Sequence, residues 1–345
     1  MSGRRTTIKD IAQRLGLAVS TVSRALNDRW EVSPETRELV LRTAEEMHYS
    51  PNAQARGLVT RKSKMIGLIV PDMLSSTFFS TIALEIQKTL IAKGYHLIIT
   101  QSNESPEEER RLLMMMRENN VDGIIISTAI DSEYNRDLFE AFVQDKIALV
   151  FISRVCGSIP VPKIVLDDVE MASQVVEHLI QEGCRKILFI SGPEGVPASV
   201  ARREGYRLVL ARHGLEPPAE PILSRGLQVQ DGIDAAEKML KSGLRPDAVF
   251  VINDTVAFGI MKVLKQRGIR IPEEMAVAGF SESFTSTFIE PNLTSVAQPL
   301  TEMGVLAARQ LLRQLDGFEP VDTTIVLHGQ LIIRTSSQRR EAASD

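Results

Sequence analysis

The sequence predicts a small all-α head followed by an α/β body of two doubly wound lobes. Three observations carry that prediction. Short amphipathic helices fill the first 49 residues. From Met65 onward, buried-strand runs alternate with helix-length segments. Eight or more such units exceed what one open sheet holds comfortably, although a TIM barrel remains the alternative fold. The chain has 345 residues, of which 43% are hydrophobic, enough for real cores and too much for wholesale disorder.

In the head, Thr7 with Asp10 three positions on forms a helix cap. Ile8, Ile11, Ala12 and Leu15 then form an apolar stripe that Gly16 ends. Val19–Asn27 repeats the pattern with Val22, Ala25 and Leu26 inward. Ser33-Pro34-Glu35 supplies a cap, a proline at the first helical position and a first-turn carboxylate. The third helix continues through Leu39, Val40, Thr43, Ala44 and Met47. Helix, glycine turn, helix is the helix-turn-helix plan, whose second helix enters the major groove of DNA; an ordinary αα-hairpin has the same outline. Ser20, Ser23, Arg24 and Asn27 face outward on the helical wheel. Arg24 offers a fork for guanine O6 and N7, and the small hydroxyls suit phosphates or base edges. Val19 is borderline, either packed inward or set against a thymine methyl.

In the body, strands are predicted at Met65–Val70, Tyr95–Thr100, Gly123–Ser127, Ala148–Ile152, Ile164–Leu166, Lys186–Ser191, Ala248–Ile252 and Ala276–Gly279. Helices are predicted at Phe79–Lys93, Pro106–Asn119, Met171–Glu182, Val200–His213 and Thr255–Arg267, most of them ending at a glycine. Charge divides at the same boundary. Residues 1–64 hold 12 Lys/Arg against 7 Asp/Glu, a net of +5, so the remainder of a chain with net charge −4 carries −9. A basic head on an acidic body is the layout of a nucleic-acid binder, or of a merely solvated basic terminus. No run approaches the roughly 18 apolar residues of a membrane span. The segment MSGRRTTIKDIAQ has no apolar signal core, and Cys156 and Cys184 lack disulfide or metal spacing. A soluble cytoplasmic protein is expected.

Three motifs then give a family resemblance: Thr7-Ile8-Lys9-Asp10-Ile11-Ala12, Ser20-Thr21-Val22-Ser23-Arg24-Ala25-Leu26-Asn27, and His48-Tyr49-Ser50-Pro51-Asn52-Ala53-Gln54-Ala55-Arg56-Gly57-Leu58. Together they resemble the signatures of the LacI family of bacterial transcription regulators. Downstream, Ile66–Asp72, Val121–Ile125 and Asn292–Pro299 resemble the family's body strands and late crossover. The resemblance implies a helix-turn-helix domain over 1–49 and a hinge helix and linker over 50–64. It also implies a periplasmic-binding-protein-like body over 65–340, with a first lobe of about 65–165 plus 295–327 and a second of about 166–294 plus 328–340. Val19, Ser20 and Arg24 fall at the family's base-reading positions, and Thr21 and Ser23 at its phosphate side. Thr7, Asn27, Asn52, Ala55 and Arg56 join the expected DNA contacts, and Leu58 matches the leucine that wedges into the minor groove. Ala18 departs from the serine common at the helix start and forfeits a cap worth about 1 kcal/mol.

For the body, the resemblance implies a small-molecule effector between the lobes, where loops follow the carboxyl ends of parallel strands. Arg202 matches the effector-clamping arginine. Phe78, Arg154, Asn253, Asp254 and Ser281 complete the candidate set. Phe78 reads more readily as a lobe-packing aromatic than as a ligand platform, and Asp254 also reads as a helix cap. Ser281-Glu282-Ser283 stands where relatives place an effector-gripping Asp, and Leu227 where several place an aromatic. Two arginines without a facing carboxylate favour an anionic or heavily hydroxylated carbohydrate, with Arg202 a free fork whose removal leaves folding intact.

Enzyme chemistry is not expected. His48, His96, His178, His213 and His328 are scattered, and no HExxH, GxSxG, phosphate-loop or CxxC pattern occurs. Glu107-Glu108-Glu109 reads as a solvated helix start. No cofactor or metal is implied. The expected partners are a pseudo-palindromic double-stranded operator, a sugar-like effector and a second copy of the chain, with no membrane. The alternatives are a regulator controlled by a protein partner and a solute-binding module without operator function.

Overall fold

The computed structural model describes residues 6–26, 31–49, 62–73, 77–131, 133–218, 222–224 and 226–339. The chain forms two compact units, Met1–Ser63 and Lys64–Asp345.

The first unit contains α1 (Ile8–Leu15), α2 (Val19–Leu26) and α3 (Pro34–Glu46). The Asp10 carboxylate accepts from both the Thr7 N–H and the Thr7 hydroxyl at 2.7 Å. Gly16 closes α1 in a left-handed conformation, φ 63°, which a side chain would resist. The Ser33 hydroxyl accepts from the Thr36 N–H at 3.3 Å, starting α3 behind Pro34. Ile11, Ala12, Val22, Ala25, Val40 and Ala44 form the core between the helices. Each fully buried Ile or Val there contributes about 1.5–3 kcal/mol over exposure.

The second unit begins with β1 (Met65–Val70), α4 (Thr77–Ile91), β2 (His96–Gln101), α5 (Pro106–Glu118), β3 (Gly123–Ile126), α6 (Arg136–Gln144), β4 (Ala148–Ile152) and β5 (Lys163–Leu166). It continues with α7 (Asp168–Gln181), β6 (Ile187–Ser191), α8 (Pro197–Arg212), β7 (Ile222–Leu223), α9 (Val229–Lys241), β8 (Ala248–Val251), α10 (Asp254–Gln266) and β9 (Ala276–Ala278). A 3-10 turn (Phe284–Thr287), β10 (Ser295–Ala297), α11 (Leu300–Leu315), β11 (Thr324–Leu327) and β12 (Gln330–Ile332) follow.

The described strands form a six-stranded sheet, β11-β5-β4-β3-β1-β2, and a four-stranded sheet, β7-β6-β8-β9, with β10 and β12 as a separate antiparallel pair. All neighbours in the two larger sheets run parallel. Two open sheets exclude the barrel. The chain passes between them at β5–α7, at β9–β10–α11 and at β11–β12. Alternate residues of β1 serve opposite faces of the first sheet. Ile66, Leu68 and Val70 join Ile82, Ile86 and Met303 of α4 and α11, while Ile69 joins Leu113 and Phe139 of α5 and α6.

Sequence patterning did not reveal α6, α9, α11, β7, β10, β11 or β12. β11 is an edge strand of alternating exposure, without the apolar run that marks a buried parallel strand. β7 has two residues, and α6 and α9 start behind Asn135 and Gln228, with no serine, threonine or proline at the cap. Gly205 of α8 lies where a Cβ would meet the Val169 carbonyl oxygen of α7 at 2.3 Å. Its bare backbone lets these helices pack closely, and that contact positions the cleft residues one turn away.

Candidate functional site

Two surfaces carry the expected chemistry, one in each unit. On α2, Val22 and Ala25 are buried, whereas Ser20 and Arg24 are exposed and Thr21 and Ser23 are half-buried. Val19 is 41% exposed, which resolves its ambiguity in favour of the outer face. Arg24 Nε lies 3.0 Å from Glu31 Oε2 in an ion pair open to solvent. Thr7 sits exposed at the start of α1, its hydroxyl directed to Asp10. Ala18 offers its carbonyl to the Thr21 and Val22 N–H groups at 2.9 and 3.1 Å. The expected contacts Asn27, Asn52, Ala55, Arg56 and Leu58 lie outside the described residues.

In the second unit, a cavity of about 120 Å³ opens between the two sheets, beyond the carboxyl ends of their strands. Phe78, Arg154, Arg202, Asn253 and Ser281 all line it. Phe78 stands edge-on to Phe79 with ring centroids 4.7 Å apart, so it packs the wall and faces the cavity at once. Ser281 holds φ 122°, and its hydroxyl accepts from Gln298 at 3.3 Å. Asn253 caps α10, its Oδ1 accepting from the Val256 N–H at 2.8 Å and its amide donating to the Leu227 carbonyl at 3.1 Å.

Three expectations are overturned here. The first concerns the arginines. Arg202 is 7% exposed, and its Nε donates to Asp168 Oδ1 at 2.8 Å. Its Nη1 donates to the Ile252 carbonyl, and its guanidinium lies 3.5 Å from the Phe280 ring centroid. Arg154 Nη1 meets Glu104 Oε2 at 2.6 Å. Neither arginine is a free fork, and each faces a carboxylate that patterning along single segments did not reveal. Asp72 adds a third and accepts from Gln228 across the cleft at 3.2 Å. The signal was available, since Asp72, Glu104 and Asp168 each follow the carboxyl end of a strand. The formal charge of the lining is −1, two arginines against three carboxylates, so the premise of a basic cleft without facing carboxylates does not hold.

Secondly, Asp254 does not line the cavity. It is buried in the first turn of α10 and accepts from Ser295 Oγ at 2.6 Å, Ser286 Oγ at 2.8 Å and the Ser283 N–H at 2.7 Å. Burial pushes its carboxyl up, against the lowering by those three donors. The neighbouring Glu282 pairs with Arg334. Thirdly, Glu109 is not a solvated helix start. It is buried, bound by the Ala129 N–H at 2.6 Å and Asn135 Nδ2 at 2.9 Å, and burial raises its carboxyl.

None of the described helices is long and apolar enough to cross a membrane. A model of bacterial regulatory proteins of the lacI family matches residues 7–52, and one of a periplasmic binding protein-like domain matches residues 176–337. Catabolite control protein A of Priestia megaterium is 32% identical over 321 residues, covering 93% of this chain and 95% of that protein. The fold is similar to that of a lac repressor dimer bound to operator and the anti-inducer ONPF, with TM-score 0.87 and 24% identity over 97% of this chain and 100% of that one. A complex of the transcriptional regulator CelR with cellobiose has TM-score 0.72 and 29% identity, covering 96% of this chain and 100% of that one.

Proposed function

The chain belongs to the LacI family of bacterial regulatory proteins, and from that membership we propose a repressor of carbohydrate-utilisation genes whose cleft holds a neutral, hydroxyl-rich effector. Residues 1–49 form its DNA-binding domain, 50–64 its hinge and the remainder its effector body. α2 reads the operator in the major groove, Arg24 taking a guanine and Ser20 and Val19 its neighbours. Leu58 wedges into the minor groove at the operator centre. The protein is a regulator, not an enzyme, and acts in the cytoplasm, where its DNA is.

The observation that carries the ligand class is the pairing of cleft charges, Arg154 with Glu104 and Arg202 with Asp168. An anion would compete with carboxylates already in place. A sugar hydroxyl both donates and accepts, so it inserts beside such pairs without leaving a charge unmatched. At roughly 10–15 Å³ for each water-sized site, the cavity suits about one sugar ring. A cellobiose complex of the related CelR is consistent with a carbohydrate here.

A second copy of the chain fits the apolar surface. Phe284 and Phe288 are 71% and 70% exposed with ring centroids 4.6 Å apart, and Leu84, Ile91 and Ile99 are exposed on α4 and the edge strand β2. A homodimer covers these residues and matches a pseudo-palindromic operator.

Thermal-shift titration with neutral hexoses, disaccharides, their phosphates and uronates tests the ligand class. A neutral sugar at about a hundred times its Kd stabilises the body by about 2.7 kcal/mol and raises its melting point. The same sugar changes anisotropy-measured operator affinity by about 5–150-fold. Stabilisation by phosphorylated or acidic sugars alone overturns the neutral-ligand reading.

A further inference from the structure

Outside both surfaces, three side chains with metal-binding donors converge where the chain changes lobe. Asp167 follows β5, Glu170 lies in the first turn of α7, and His328 follows β11. One ligand atom from each lies within 4.8 Å of the other two, and His328 Nδ1 is 2.7 Å from Glu170 Oε2. The sheet register produces this meeting. Leu166 of β5 is opposite Leu327 of β11, and the Asp167 N–H donates to the Leu327 carbonyl at 3.0 Å. Asp167 and His328 therefore leave the sheet side by side, and the first turn of α7 brings Glu170 over them. Bonds around the group orient its carboxylates. Asp167 Oδ1 accepts from the Glu170 N–H at 2.9 Å, and Glu170 Oε1 accepts from Gln174 at 3.2 Å, which leaves Oε2 toward the imidazole.

We propose that Asp167, Glu170 and His328 form a site for a divalent first-row transition ion of the Zn²⁺ class, a hinge clamp separate from the effector cleft. One imidazole and two carboxylates make a nitrogen–oxygen donor set suited to such ions, with solvent completing the coordination. Metal–ligand bonds of about 2.0–2.2 Å place neighbouring donors about 3 Å apart, within reach of small rotations of the exposed His328 and Glu170 side chains. The hydrogen bonds that orient the two carboxylates are the outer support such sites use. A bound ion ties the β5–α7 crossover to the β11–β12 crossover. Lobe rotation must twist both segments, so the ion biases the closure that the effector drives.

Calorimetric titration of chelator-treated full-length protein with ZnCl₂ tests the site. The comparison includes His328→Asn, Glu170→Gln and, as control, His213→Asn, because His213 also faces a carboxylate, Glu177, at 2.9 Å. The expected result is one ion per chain at micromolar affinity, weakened at least about tenfold by either site substitution and unaffected by the control. Unchanged melting points without zinc show that the variants are folded. Hydrogen exchange over residues 166–170 and 327–332 slows with zinc in the unsubstituted protein and not in His328→Asn. Zinc affinity unchanged in His328→Asn, loss in His213→Asn alone, or no binding at millimolar zinc each overturns the proposal. Equal binding of Mg²⁺ that ignores His328 overturns it too, since the imidazole would then play no part.

Discussion

The Arg24 side chain of α2 stands 54% exposed beside Glu31, whereas that of Arg202 in α8 is 9% exposed between Asp168, the Ile252 carbonyl and the Phe280 ring. A surface pair such as the first is worth about 0–1 kcal/mol, so Arg24 can leave its carboxylate for another partner at little cost. The second pair is largely enclosed, Asp168 being 18% exposed at the cavity wall, and losing Arg202 leaves that carboxylate without its partner in a poorly solvated place. A surface that reads DNA keeps its side chains loosely held. The cleft keeps each arginine paired with a carboxylate, and on the neutral-effector reading a ligand inserts beside those pairs rather than supplying a missing charge.

Substitutions can break that contrast or sharpen it. Arg202→Ala should cause the largest change, about 3–5 kcal/mol of body stability in urea unfolding, because Asp168 is left without its partner. A loss below about 1 kcal/mol would make the cleft pair equivalent to a surface one. Arg24→Ala should leave stability within about 0.5 kcal/mol and weaken specific operator binding by about 1–3 kcal/mol, relaxing preference at one base pair per half-site. Equal loss on random DNA, measured by anisotropy, would make Arg24 a phosphate contact.

A smaller effect concerns Glu109. Burial raises its carboxyl in the folded state, so the native protein holds that proton more tightly than the unfolded chain. The stability it supplies is present below the ordinary carboxylate value and is lost as pH rises through the raised one. Glu109→Gln has no proton to lose, so the stability of the unsubstituted protein minus that of the variant should fall from about pH 4 upward. A difference that is flat or rises across the acid range contradicts this burial effect. The smallest effect belongs to Glu31→Gln. Removing a carboxylate from the reading surface should strengthen both specific and random DNA binding by less than about 1 kcal/mol. Weaker binding in that variant would instead give Glu31 a positive part in recognition.

The same two surfaces differ in how far the sequence discloses them. α2 is eight contiguous residues whose helical period separates buried Val22 and Ala25 from exposed Ser20 and Arg24, so local pattern suffices. The cleft is assembled from the ends of many strands. Arg154 was legible as a distinctive side chain after a strand and Arg202 through the family resemblance, but their partners were not. Arg154 meets Glu104 only because β2 and β4 belong to one sheet, and Arg202 meets Asp168 only because Gly205 brings α8 onto α7. Strand order and helix contact are long-range facts that periodicity does not encode. Asp254 misled for a related reason. Its place at a helix start suggested a cap or a ligand contact, whereas Ser283, Ser286 and Ser295, distant in sequence, enclose it.

The first lobe is not one stretch of chain, and synthesis order gives that fact a consequence. α11 places Met303, Ala307, Ala308 and Leu311 in the core that Ile82 and Ile86 of α4 begin, and Gly304 lies where a Cβ would be 2.7 Å from the Ile82 carbonyl oxygen. On the ribosome, every strand of the four-stranded sheet has emerged once residue 278 is out, before α11 appears. The lobe that starts first therefore waits, through the synthesis of the whole four-stranded sheet, for the helix that completes its core. From the emergence of α4 until Leu311 seats, the nascent chain carries an open apolar trough, the kind of surface on which chaperones act and aggregation begins.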